Sequence, residues 1–206
     1  MKFRQLAVSF VLAMCLMVPG SISAEDPKTI VSMADPDIKA AIAADFEGYK
    51  GSLKHAFDSS VETAINIAKL ENGVPYWTVG SDGELNFSGY IFNILAAGKP
   101  SGIIFAENSG GQWQISSIKN NLSFATDLAK SRELVGSKAI TRLIYDQQYG
   151  IYALGVKWEN GEQTVLPLKD HPLIGLTQGE QVTITEFNKI VSRLQQEYGK
   201  SADNNG

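Results

Sequence analysis

Two histidines, His55 and His171, are the side chains of this sequence best suited to moving a proton at neutral pH. Neither stands in a pattern that catalysis requires. A serine hydrolase sets a histidine base beside its serine, and the G-x-S-x-G turn that commonly carries such a serine is absent. So is H-E-x-x-H, the helical pair that holds catalytic zinc. His171 lies in the turn-like run Asp170-His171-Pro172, and His55 just precedes a helix start, so both read as ordinary loop histidines. Carboxylates are plentiful. Asp35, Asp37, Asp45 and Glu47 lie close together without the spacing of a calcium loop, as expected of a solvated helix face. Two acids brought together by folding could still cleave a glycosidic bond, and that alternative stays open. Neither phosphate-cradling glycine pattern, G-x-x-x-x-G-K-[ST] or G-x-G-x-x-G, is present, and nothing specifies a cofactor or a metal.

The remaining candidates are aromatic. Tyr76-Trp77 follows Pro75, Trp113 falls inside a strand-like run, and Tyr152 and Trp158 share the alternation of another. Tyrosine and tryptophan dominate recognition surfaces, which makes Tyr76, Trp77 and Trp158 the candidate anchors for a ligand or partner. Cross-strand packing in a small sheet would explain the same residues equally simply.

Four helices are expected to frame these groups. Asp35-Pro36 gives an N-cap followed by proline at the first helical position, starting a helix to about Tyr49. Ser59-Ser60-Val61-Glu62 is a capping box, and the helix it opens would close at Asn72-Gly73. A third begins near Ser123 with Phe124, Leu128 and Val135. The last is capped by Thr183 to Glu186 and carries the stripe Phe187, Ile190, Val191, Leu194. Strand signals fall at 90–96, 102–106, 112–118 (Trp113, Ile115 and Ser117 on one face), 140–145, 151–158 and 163–168. Asn160-Gly161 is a strong hairpin turn, and links this short join antiparallel strands. The expected class is α+β: antiparallel sheet with helices packed on one face. Residues 35–198 form either one such region or two αβββ repeats near 59–119 and 123–168. Residues 25–34 read as a lead-in and 199–206 as a polar tail.

Residues 1–24 read as an export signal. Lys2 and Arg4 precede the apolar stretch Leu6–Val18, and Ser21-Ile22-Ser23-Ala24 supplies small residues before a cut. The apolar stretch is shorter than the roughly 18–20 residues that span a bilayer, so no membrane span is expected after cleavage. Lipidation at Cys15 is disfavoured by Met14, which stands where a small residue belongs. Cys15 is the only cysteine, so a chain cut after Ala24 has neither a disulfide nor a thiolate site. Such a chain keeps 182 residues, enough for a substantial core, with 16 basic against 22 acidic residues. A net charge of −6 with no basic cluster opposes nucleic acid as a partner.

From Ala64 to Gly83 and from Tyr90 to Ile118 the chain resembles secreted bacterial modules of the PepSY or cystatin-like type. The likeness is carried by Asn72-Gly73-Val74-Pro75-Tyr76, then by Tyr90-x-Phe92-x-Ile94, Gly98-Lys99-Pro100-x-Gly102 and Trp113-x-Ile115. It covers a minority of the chain and assigns no catalytic or binding residue. The resemblance implies a non-enzymatic module that inhibits, chaperones or docks onto another extracellular or envelope protein. The alternative is a secreted hydrolase of peptide or polysaccharide that uses folded-together carboxylates or one of the two histidines.

Cleavage between Ala24 and Glu25, within a residue, is the expected processing event. N-terminal sequencing of exported protein checks it; a lipid-modified Cys15 or a retained Met1 would refute it.

Overall fold

The computed structural model describes residues 33–53, 65–80, 84–136 and 139–203. The segment 1–24, His55 and the capping box at Ser59–Glu62 lie outside them. Helix α1 (Pro36–Leu53) starts as expected, Asp35 accepting the Asp37 N–H at 2.8 Å. The helix expected to run to Asn72 does not cover its described part. Ile65–Ile67 is a single 3-10 turn and Lys69–Leu70 is a short strand, β1. Leu70 is buried, and the Glu71 N–H bonds the Asn93 carbonyl, so sheet pairing takes the place of the helix.

Four strands follow in a meander: β2 (Val74–Val79), β3 (Leu85–Ala96), β4 (Lys99–Ser109) and β5 (Gln112–Lys119). Helix α2 (Phe124–Val135) then leads into β6 (Ala139–Asp146), β7 (Ile151–Trp158), β8 (Gln163–Pro167) and the two-residue β9 (Val182–Thr183), before helix α3 (Ile184–Asp203). All nine strands form one sheet in the order β5-β4-β3-β2-β6-β7-β8-β9, with β1 pairing β3 beyond the end of β2. Every pairing is antiparallel except β2 with β6, which is parallel. The sheet is therefore continuous across the two segments that an αβββ repeat would separate. No helix among the described residues is long and apolar enough to cross a membrane.

The α+β class follows, with three α-helices among the described residues. Helices α1 and α3 share one face, as the one-sided expectation has it, while α2 takes the other. Alternation along the strands requires this division. Ile103 and Phe105 pack with Phe124 and Leu128 of α2, whereas Ile104 and Ala106 pack with Ile42 and Phe46 of α1. Leu143 and Leu154 likewise belong to the α2 side, and Ile144 and Ala153 to the side of α3, with Phe187 and Val191. Strands apolar on both faces need cover on both.

Side chains satisfy strand N–H groups that the ladder leaves over. Asp45 of α1 accepts the outward N–H of Ile115 on edge strand β5 at 3.0 Å. At the centre, Asp146 is 4% exposed and accepts the N–H of Val79 at 3.1 Å and that of Tyr149 at 3.1 Å. It completes the β2 edge where β6 ends and fixes the turn into β7.

Leu194 lies buried on α3 beside Phe187 and Ile190. Leu194→Ala is expected to cost about 2–5 kcal/mol in urea unfolding; a loss within error of zero would show that α3 does not hold the sheet as described.

Candidate functional site

The three candidate anchors are not brought together. Tyr76 is 2% exposed on the α2 face, its hydroxyl donating to Glu107 at 2.8 Å. Trp77, next in β2, faces the opposite side and is half-buried. Trp158 ends β7 on the α2 face, half-buried, its indole N–H donating to Thr164 at 3.0 Å.

Aromatic residues form a row on each face. The α2-side row runs from Tyr76 to Phe105 (ring centroids 5.4 Å apart), Tyr145 (4.9 Å), Tyr152 (4.9 Å) and Phe124 (6.0 Å). It is packed into the core beneath α2. The row on the α1/α3 face runs from Trp77 to Phe87 (5.8 Å), Tyr90 (5.5 Å) and Trp113 (5.2 Å). This one is open: Phe87 is 50% exposed, and the other three are half-buried.

A bulge makes the open row. Tyr76 pairs with Gly89 and Trp77 with Phe87, leaving Ser88 as an extra residue in β3. Phe87 and Tyr90 are an odd number of residues apart and would otherwise face opposite sides; the insertion puts both on one. Gly89 is required there. Its φ is +150°, and a Cβ would sit 2.0 Å from the Ala106 carbonyl oxygen. On β4, Ala106 lies opposite Tyr90 and is too small to separate that ring from Trp113. A second bulge leaves Ser116 extra in β5, so Ser117 pairs with Phe105 on the α2 side. Trp113 and Ile115 instead share their face with Ile118, which corrects the expected alternation.

Charged groups flank this row. The Arg142 guanidinium of β6 is exposed and sits 5.6 Å from the Trp77 ring, within cation–π range. Further along it, burial and then the charge of Asp35 push the Tyr90 phenol above its ordinary range. The rings meet edge to face or tilted, so the surface is ridged, offering notches between rings.

His171 is placed structurally. Its Nε2 is 2.9 Å from the Tyr149 carbonyl and beside Gly150, tying the loop after β8 to the β6–β7 turn. Among the described residues, no three His, Cys, Asp or Glu side chains are grouped to hold a metal ion. A depression of about 680 Å³ is bordered by Val135, Gly136, Trp158, Glu159, Asn160, Glu162 and Gln181. Glu159 and Glu162 are the ionisable pair it brings near one another. Both are exposed on the β7–β8 hairpin rather than enclosed.

Compared with family models, curated proteins and solved structures, the chain gives no match. Sequence reasoning found Trp77 and missed Phe87, Tyr90 and Arg142 as its companions. No signal along the chain joins them, because the row crosses strands β6, β2, β3 and β5.

The buried row makes a separate, pH-dependent contribution. Burial first, then the hydrogen bond and charge of Glu107, push the Tyr76 phenol well up; burial does the same to Tyr152, aided by Asp127 and Tyr145. The folded state therefore holds these phenols neutral after the unfolded chain has begun to ionise them. Their stabilisation is fully present below the ordinary tyrosine value of about 10, and is lost progressively as pH rises above it. Urea midpoints measured on either side of that value should fall on the alkaline side, and less steeply in Tyr76→Phe. An equal alkaline slope in wild type and variant would contradict the assignment.

Proposed function

We propose that this chain is an exported, non-catalytic module that binds another extracellular or envelope protein through the open aromatic row of Trp77, Phe87, Tyr90 and Trp113. The observation that carries the reading is the row itself. Four contiguous aromatic rings stand exposed or half-buried on a sheet face, with an exposed guanidinium at one end. Apolar surface of this kind costs free energy in water, and recovers it when a partner covers it. Aromatic residues and arginine are also the side chains most enriched where binding energy concentrates. Export is supported by the signal-like residues 1–24, and the non-enzymatic role by the likeness to PepSY or cystatin-like modules.

Immobilised mature protein, challenged with supernatant and envelope extract of the producing cell, tests the reading when run beside its variants. Trp77→Ala is expected to weaken retention of the principal partner by roughly thirtyfold in Kd, about 2 kcal/mol. His55→Ala with His171→Ala should leave it nearly unchanged. Turnover of a peptide or polysaccharide that disappears with the histidine pair would overturn the proposal, as would partner binding indifferent to Trp77→Ala.

A further inference from the structure

The depression beside Trp158 lies on the α2 face, away from the open row, and does not depend on the function proposed above. It is an open surface depression of about 680 Å³ rather than an enclosed cavity. Its construction starts with the indole. The Trp158 N–H donates to Thr164 at 3.0 Å, and the Thr164 hydroxyl donates in turn to the Gln181 side-chain carbonyl at 3.3 Å. Thr164 is 6% exposed, so the middle of this relay is buried and holds the ring, while Gln181 at its end is exposed. With its N–H engaged inward, the indole offers the depression apolar ring surface.

The rim is equally set. The Trp158 backbone N–H bonds the Glu162 carbonyl at 2.9 Å, the Gly161 N–H bonds the Trp158 carbonyl at 2.9 Å, and Asn160 Oδ1 accepts the Glu162 N–H at 2.9 Å. Gly161 takes a φ of +84°, as this tight turn requires. The hairpin tip is thereby held, with Glu159, Asn160 and Glu162 bordering the depression opposite Val135 and Gly136 at the end of α2.

We infer that this depression is a binding site for a pyranose ring of a neutral glycan. The lining supplies what a sugar needs: one indole for the apolar C–H face, carboxylates as hydroxyl acceptors, and the Gln181 amide as a donor, while Asn160 turns its own amide on Glu162, accepting its N–H and donating to its carboxylate at 3.4 Å. Gln181 spends its carbonyl on Thr164, which leaves its NH2 to donate. An organic cation is the competing ligand, since Glu159 and Glu162 are both acidic. Selective ammonium sites, however, surround the charge with several aromatic faces, and this one has a single indole. An anionic ligand would face two carboxylates with no cation among the lining residues.

The test uses the mature chain, with cellohexaose, maltohexaose and chitohexaose as probes and spermidine as the cationic arm, read by tryptophan fluorescence and calorimetry. At least one hexaose is expected to bind, with affinity falling about tenfold or more in Trp158→Ala and in Gln181→Ala. Gln181 is exposed, so its variant keeps the test informative where loss of the indole disturbs folding. Trp77→Ala, on the other face, should leave sugar affinity unchanged. The inference is overturned if no hexaose binds, if a hexaose binds equally well to the folded Gln181 and Trp158 variants, or if spermidine alone binds and is lost in Glu162→Gln.

Discussion

The parallel pairing of β2 with β6 is the contact on which the rest of the molecule depends. Tyr76 and Trp77 lie against Leu143 and Ile144, and this pairing joins two antiparallel meanders into one sheet. Strands in parallel register need a long crossover, and here it comprises β3, β4, β5 and α2. The pairing is short, so its end requires help. Asp146, nearly withdrawn from solvent, receives the Val79 N–H that the ladder leaves over. A buried carboxylate is tolerated because two backbone donors satisfy it, and removing them would leave it costly.

Joining the meanders through their first strands puts β2 and β6 mid-sheet. Helix α2 fills the centre of one face with Phe124 and Leu128. The other face is covered from its flanks, by α1 over β5 and by α3 over β8 and β9. The open row crosses the middle of that second face, with Trp77 on β2 and Phe87 and Tyr90 on β3. One face thus yields a buried aromatic core and the other an exposed aromatic surface, from neighbouring residues of the same strands. Tyr76 and Trp77 show the division most directly.

The two candidate binding regions are built differently. The open row is a broad ridged surface of rings in contact with one another, with Arg142 at its end, and suits the irregular relief of a protein partner. Around Trp158 a single ring, held by the buried Thr164 hydroxyl, faces polar groups on a tight hairpin, which suits one ring of a small ligand. They lie on opposite faces, so occupying one leaves the other free.

Local signals determined much of this molecule. The caps at Asp35 and Thr183, the stripe from Phe187 to Leu194, the Asn160-Gly161 turn and the runs of β3 to β8 act within a few residues, and α1, α3 and the hairpins follow from them. The same local view misread Lys69–Leu70, whose strand exists only because β3 offers it a partner. It also treated Tyr76-Trp77 as a pair of candidate anchors, since nothing near them announces a parallel neighbour 67 residues later. The bulges at Ser88 and Ser116 were equally hidden. Each depends on how two strands align, and each reverses which face the following residues occupy. Residue types alone established that aromatic side chains, rather than titratable ones, are the groups to watch. Tertiary structure decided which of them meet, because pairing register, unlike helix capping or turn chemistry, is set between segments distant in the chain.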